Sequence, residues 1–267
     1  MYYGDADNNL EQALLWDVAE MKEGFVNAQG VNLILLFDRR LMGDSFTKRI
    51  FGENFTDTRL YRVTSGKTWR LDGGTEFSEI TNHSNYEANM GDALTLKKFI
   101  RYCKANFPAE KYALIISNHG GGPKKKSLPA GPEFTPSYKS ICQDDTSSDI
   151  LYTYEISSTL TADESVDLFG IDACLMASVE FAYQFRNDPS NSGFKADIFV
   201  ASAPETWSDG WDYDTIFSRF DTSVVTAQNF GELIIDVEKT SATMTQMSCF
   251  DMSKVQAVKT AVDALAV

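Results

Sequence analysis

Histidine is nearly missing from this sequence, which carries only His83 and His119 among 267 residues. Cysteine is almost as sparse: Cys103, Cys142, Cys174 and Cys249 are widely spaced and form no CxxC pair. That pattern indicates neither a zinc ribbon nor a disulfide scaffold. No apolar run approaches the roughly 20 residues a membrane-crossing helix needs. Basic side chains are short as well, 24 against 38 acidic ones, for a formal net charge of -14. Nucleic acid is therefore not the expected partner, since phosphate binding wants a basic face. The surplus acid is compatible with cationic substrates, with calcium, or simply with solubility. There are no internal repeats and no EF-hand spacing.

What remains is an ordinary globular composition, 43% hydrophobic and 23% charged. The length suits one large α/β domain spanning residues 1–267. Both ends read as trimmed, because Met1-Tyr2-Tyr3 looks like the tail of a strand and Val255–Val267 stops inside a helical pattern. Leu10, Leu14, Val18, Met21 and Phe25 recur at helical spacing, and Asn8 followed by Glu11 resembles a capping box. Residues 31–37, 112–117, 166–172 and 196–202 are nearly all-apolar runs of strand length, as expected of parallel strands covered on both faces. Residues 58–63 and 69–72 read as shorter strands of a hairpin around Ser65-Gly66. A second helix carries Leu94, Leu96, Phe99, Ile100 and Cys103 inward. Residues 123–149 show little periodicity and read as a functional or mobile loop, with a helix expected from Ile150 to about Leu160. Strands alternating with helices predict a mostly parallel sheet sandwiched between helical layers.

In open α/β sheets, functional groups gather at the carboxyl ends of the strands. Two of the core strands end in a reactive side chain, in Asn118-His119-Gly120-Gly121-Gly122 and in Asp172-Ala173-Cys174. A thiol within reach of an imidazole is the minimum for nucleophilic acyl transfer. A helix expected straight after Cys174 would lower its pKa. Gly120, lacking a Cβ, lets its N–H approach a developing oxyanion, with the Cys174 N–H as second donor. Taken singly, each residue has a plainer reading: a cysteine after a strand is commonly a small core residue, and a glycine triplet can be a turn. His83 lies in a polar loop and reads as surface. An esterase would need a G-x-S-x-G elbow and a histidine downstream of His119, and the sequence has neither.

The blocks ALIISNHGGG at 113–122 and FGIDACLMASVE at 169–180 resemble the catalytic blocks of the clostripain-like cysteine peptidases, relatives of caspases, gingipains, legumain and separase. GDADNNLE at 4–11, QDDTSSD at 143–149 and DGWDY at 209–213 extend the likeness over most of the chain. The resemblance implies a caspase-like α/β/α sandwich and an endopeptidase cutting after arginine or lysine in peptide or protein substrates. It gives the catalytic dyad to His119 and Cys174. It places Asp172 in an acidic specificity pocket, where a planar carboxylate can hold a guanidinium; a turn-stabilising aspartate is the plainer alternative. Glu205 and Asp209 are candidates for a second pocket acid. Self-cleavage between histidine and cysteine is another implied trait, with Lys124, Lys125, Lys126 and Lys139 as candidate sites. Where relatives more often carry a tryptophan after the glycines, this chain has Pro123-Lys124. No cofactor is required for the chemistry, and calcium is implied as an activator. Asp5, Asp7, Asp144, Asp145 and Asp149 offer suitable hard oxygen donors. A secreted, periplasmic or cell-surface bacterial location is also implied. Preference for a non-basic residue, or a non-catalytic regulatory or binding domain on the same scaffold, remain the alternatives.

Overall fold

The computed structural model describes residues 1–25, 30–40, 45–83, 85–122, 140–220, 226–240 and 246–266. The strands are β1 (Tyr2–Ala6), β2 (Leu33–Arg39), β3 (Arg59–Thr64), β4 (Lys67–Arg70), β5 (Ala113–Ser117), β6 (Ser140–Asp144), β7 (Asp149–Tyr152), β8 (Val166–Asp172), β9 (Ala196–Ser202) and β10 (Met247–Asp251). The helices are α1 (Glu11–Gly24), α2 (Ser45–Phe51), α3 (Ala93–Asn106), α4 (Thr153–Thr159), α5 (Val179–Gln184), α6 (Tyr213–Ser218), α7 (Ala227–Glu238) and α8 (Val255–Leu265). The main sheet has eight strands in the order β10-β9-β8-β5-β1-β2-β3-β4. β9, β8, β5, β1 and β2 are parallel, and antiparallel strands finish both edges. The expected α/β class with a mostly parallel central sheet is borne out.

Strand pleating divides the core in two, because successive side chains point to opposite faces. Along β2, Ile34 and Leu36 join Leu96, Phe99, Ile156 and Phe181 from α3, α4 and α5 on one face. Leu33, Leu35 and Phe37 join Leu14, Val18, Phe51, Ile216 and Ile234 from α1, α2, α6 and α7 on the other. A strand walled in this way must be apolar at both parities, which is why the strong runs were legible as buried. Phe169 on β8 anchors one half, with Phe185, Phe194 and Phe199 rings 5.4, 5.5 and 5.8 Å from its own.

The strand expected at Met1-Tyr2-Tyr3 does form, as β1 between β5 and β2. Several local expectations are corrected. The capping box does not form. Asn8 Oδ1 accepts instead from Leu10 N–H at 2.9 Å, and Glu11 turns to the buried Arg39, 2.8 Å from its Nε. Leu94 is exposed, although Ala93, Thr95 and Leu96 around it are buried, and its N–H donates to the capping Asp92 side chain. Residues 140–152 form the β6–β7 hairpin, with a turn at Thr146–Ser148, so the next helix starts at Thr153. The hairpin around Ser65-Gly66 forms as expected, with Gly66 in the left-handed region at φ +68°.

Replacing Phe169 by alanine should cost about 3–5 kcal/mol, because the surrounding rings cannot collapse into the space. Urea unfolding followed by tryptophan fluorescence measures this, and a loss below about 1 kcal/mol would contradict the packing.

Candidate active site

The pairing of β5 with β8 sets the site. Ser117 lies opposite Asp172 in that register, and the Asn118 N–H continues the ladder to the Asp172 carbonyl at 3.3 Å. His119 and Cys174 each lie two residues beyond this last pair, so the two chain ends leave the sheet side by side. Their separation in sequence is closed by strand pairing alone.

The glycines supply the room this demands. A Cβ on Gly120 would sit 2.0 Å from the Cys174 carbonyl oxygen, and one on Gly122 would sit 2.6 Å from Leu175 Cβ. Gly122 also has φ +53°. Leu175, directly after the thiol, is itself left-handed at φ +65°, a conformation that costs a branched side chain about 1–3 kcal/mol. Its N–H is tied to the Pro204 carbonyl at 3.0 Å and the Ala177 N–H to the Ser202 carbonyl at 2.8 Å, so the end of β9 fixes the turn. Among the described residues, neither the Gly120 nor the Cys174 N–H has a protein acceptor. Both are thus free to donate, as an oxyanion site requires.

His119 and Cys174 are both half-buried. Nε2 of His119 lies 2.6 Å from Asn9 Oδ1, and Cys174 Sγ accepts from the Thr206 N–H at 3.3 Å with Thr206 Oγ1 at 3.4 Å. The expected helix at the nucleophile is absent: α5 begins only at Val179 and is capped by Ser178, so the donor that reaches the sulfur is the Thr206 amide. Burial holds the His119 pKa below its ordinary 6.5, opposed by the negative charge of Asp145. Asn118, which sequence reasoning passed over, braces the imidazole's backbone. It donates to the Asp5 carbonyl and accepts from the N–H groups of His119 and Gln143.

Asp172 is buried, and its Oδ2 accepts from the Trp211 N–H at 3.1 Å and the Tyr213 hydroxyl at 2.9 Å. Burial pushes its pKa to about 6, against the pull of those two donors. Beside it stands a residue the sequence reading missed. Asp17 of α1 accepts from the Tyr2 hydroxyl at 2.8 Å through Oδ2, while its buried Oδ1 has no hydrogen-bond partner. Gly210 packs against both carboxylates: its missing Cβ would lie 3.0 Å from Asp17 Oδ1 and 3.0 Å from Asp172 Oδ2. Burial first, and Asp172 second, raise the Asp17 pKa. An acid among the apolar positions Leu14, Val18 and Met21 was the available signal. Glu205 and Asp209 are exposed on the loop that runs from Thr206 at the thiol to Gly210 at the carboxylates. Lys124, Lys125, Lys126 and Lys139 lie outside the described residues.

A second group of acids gathers at the carboxyl ends of β1 and β2, where Asp5 pairs in register with Asp38. Asp7, Asp38 and Glu87 bring carboxylate oxygens within 4.8 Å of one another. Asp144, at the end of β6, accepts from the Met90 N–H at 2.8 Å and the Ser147 N–H at 2.7 Å beside them. Of the expected hard donors, Asp145 is instead paired with Arg40, and Asp149 accepts from Asn89 Nδ2 at 2.7 Å. At the opposite end of the sheet, a cavity of about 380 Å³ opens beside Met1, Leu33, Tyr112 and Phe230, remote from His119 and Cys174.

The model of the clostripain family matches residues 2–267. Clostripain of Hathewaya histolytica is 44% identical to the chain, over 100% of the chain and 55% of the clostripain sequence. The chain thus spans about half the length of that relative. Among solved structures, a secreted C11 cysteine protease from Bacteroides thetaiotaomicron, bound to an irreversible peptide inhibitor, superposes with a TM-score of 0.67 at 20% identity. It covers 97% of this chain and 67% of its own. An inactive zymogen C11 protease from Parabacteroides distasonis gives a TM-score of 0.65 at 19% identity, over 97% of this chain and 63% of its own. At these identities the likeness speaks for the fold.

The His119 ring should titrate below 6.5, and Asp145→Asn should lower its midpoint further by removing the opposing charge. Ring-proton NMR across pH 4–8 checks both (a span of about two units either side of the ordinary value). A midpoint above 6.5 would contradict the described environment.

Proposed function

The chain belongs to the clostripain family, and from that premise we propose that it is a cysteine endopeptidase cutting after basic residues, with Cys174 as nucleophile and His119 as its proton partner. The observation that carries the proposal is the β5–β8 register, which brings His119 and Cys174 out of the sheet together with Gly120 against the Cys174 backbone. Neutral imidazole, favoured by burial, takes the thiol proton as Sγ attacks the substrate carbonyl. The carbonyl oxygen becomes an anion opposite the N–H groups of Gly120 and Cys174, whose donation strengthens as charge develops. The imidazolium then protonates the leaving amine. Water, deprotonated by His119, hydrolyses the thioester and restores the thiol.

Asp172 and Asp17 are proposed as the acids that select a guanidinium or ammonium. Asp17 Oδ1 lacks a partner behind Gly210, and a cation arriving there would satisfy it and relieve the repulsion between the two carboxylates. Exposed Glu205 and Asp209 would guide the cation in from the rim. Self-activation by a cut within residues 123–149 is part of the same proposal, supported by the zymogen description of the Parabacteroides relative. Secretion is likewise proposed, in line with the description of the Bacteroides relative.

Asp172→Asn should reduce kcat/KM for an arginyl peptide on the order of a hundredfold, since it removes one partner of a buried charge pair. A citrulline analogue, equal in shape but neutral, should change little. Parallel losses on both would mean that Asp172 only supports Trp211 and Tyr213, and a library showing no preference for Arg or Lys would remove the pocket assignment.

The preference for arginine over citrulline should rise with pH through about 6, where the Asp172 carboxyl ionises. The sign follows from charge: the protonated acid below that pH offers no anion to the guanidinium. His119 also gains its base form as pH rises, but it affects both peptides alike and cancels in the ratio.

Mass spectrometry of wild type and Cys174→Ala after incubation should find cleavage within residues 123–149 in the wild type alone. Identical cleavage in both would refute self-processing by Cys174.

A further inference from the structure

We propose that Glu20 and Glu238 are positioning residues: they clamp the turn 209–213 from two sides and thereby fix the angle of the Asp172 carboxylate. What this means for specificity rests on the reading of Asp172 as the pocket acid. In DGWDY, the amides of Trp211, Asp212 and Tyr213 follow one another, and each ends on a carboxylate from a different element. The Trp211 N–H donates to Asp172 Oδ2 on β8 at 3.1 Å, the Asp212 N–H to Glu238 Oε1 on α7 at 2.8 Å, and the Tyr213 N–H to Glu20 Oε2 on α1 at 3.2 Å. The Tyr213 hydroxyl then returns to Asp172 Oδ2 at 2.9 Å. Gly210, at φ +69°, lays the start of the turn against Asp172 and Asp17. Gripping the second and third amides therefore fixes both donors that orient Asp172.

Both glutamates sit where a carboxylate is disfavoured. Glu238 is 3% exposed and ends α7, where the helix carbonyls add negative potential. The charges acting on it, Asp172 and Asp212, are acids too, and Glu20 meets Asp214, Asp212 and Asp172. Burial first, joined by these charges, raises both glutamates to about 7 against the pull of the N–H that each accepts. What offsets the cost is the backbone: Asp212 and Tyr213 open α6, where N–H groups find no partner inside the helix. An apolar residue at position 20 or 238 would leave one of these amides without its acceptor.

Glu20 lies one turn beyond Asp17 on α1, so one face of that helix carries a pocket acid and one side of the clamp. Tyr2 donates to Asp17, and Tyr213 to Asp172, within the same cluster. Losing either side of the clamp frees the 211–213 segment and withdraws its two donors from Asp172, which then holds its proton more tightly. A protonated or turned carboxyl offers a guanidinium no aligned anion, so discrimination between cationic and neutral side chains falls with it.

Glutamine separates the hydrogen bond from everything else, because its amide oxygen still accepts the N–H whereas alanine leaves no acceptor. The whole chain carrying Cys174→Ala is labelled with carboxyl-13C aspartate, and the Asp172 signal is identified by its loss in Asp172→Asn. That signal should titrate at about 6. Both glutamates are still largely protonated there, so Glu20→Gln and Glu238→Gln should leave the midpoint almost unchanged. Glu20→Ala and Glu238→Ala should make Asp172 about tenfold weaker as an acid than in the matching Gln variant. Asp236→Asn, an exposed acid on α7, should change nothing. With Cys174 restored, the preference for arginine over citrulline at about pH 6 should be lower by about threefold or more in each Ala variant than in its Gln counterpart. The clamp is overturned if Ala and Gln midpoints coincide, or if Asp172 ionises more readily in the Ala variants. If Glu238→Ala does not fold, the half-buried Glu20 pair decides. A parent chain indifferent between arginine and citrulline would remove the pocket reading, while the NMR midpoints, read without substrate, still decide the clamp.

Discussion

Everything reactive in this molecule depends on two parallel strands ending level with one another and then touching. The β5–β8 ladder closes at Ser117 and Asp172, and beyond it the backbones of Gly120 and Cys174 come so near that a single methyl group would not fit. Hydrogen bonding fixes the first part of this arrangement, and the absence of side-chain atoms permits the second. The imidazole, the thiol and two free N–H donors are consequences of that contact. They are held by backbone geometry, and the side chains around them contribute fine adjustment. Rigid support of this kind is what acyl-transfer chemistry needs, because donors fixed in advance require no reorganisation when charge develops.

The sheet also separates two groups of buried acids. Asp17 and Asp172 lie beneath the 203–213 loop, with Tyr2 and Tyr213 donating to them. Asp5, Asp7, Asp38 and Asp144 lie beside α3, at the ends of β1, β2 and β6. Strand parity sets the two sides: Tyr2 and Tyr3 are neighbours in sequence, yet the first bonds to Asp17 and the second to the Met90 carbonyl on the opposite face.

The fold was legible because its determinants are local. Apolar runs of strand length alternating with amphipathic stretches leave little choice but a covered parallel sheet, and the ends of those runs pointed to His119 and Cys174. The parts that were not legible depend on distant partners. Glu11 could cap its own helix or pair with an arginine, and only the arrival of Arg39 on β2 decides for the latter. The donor to the Cys174 sulfur was sought in the nearest helix, whereas it comes from Thr206 on a loop far along the chain. Asp17 and Asp38 were hidden by their surroundings, since an acid inside an apolar pattern scores as an interruption until tertiary structure supplies its neighbours. The β6–β7 hairpin escaped because it is short and lies apart from the main sheet, without the long apolar run that marked the core strands.

Leu175 carries an implication for how such a site can change over time. Leu175 is held at positive φ with its N–H on the Pro204 carbonyl, and it is pressed so closely against Gly122 that no side chain fits at that glycine. The loop above it is different: Glu205, Trp207, Ser208 and Asp209 are exposed, and Trp207 is 69% accessible. Exchanges on that loop meet solvent, whereas a side chain added at Gly122 would meet Leu175. The molecule divides its own mutational freedom, with a crowded backbone below and solvent-facing side chains above.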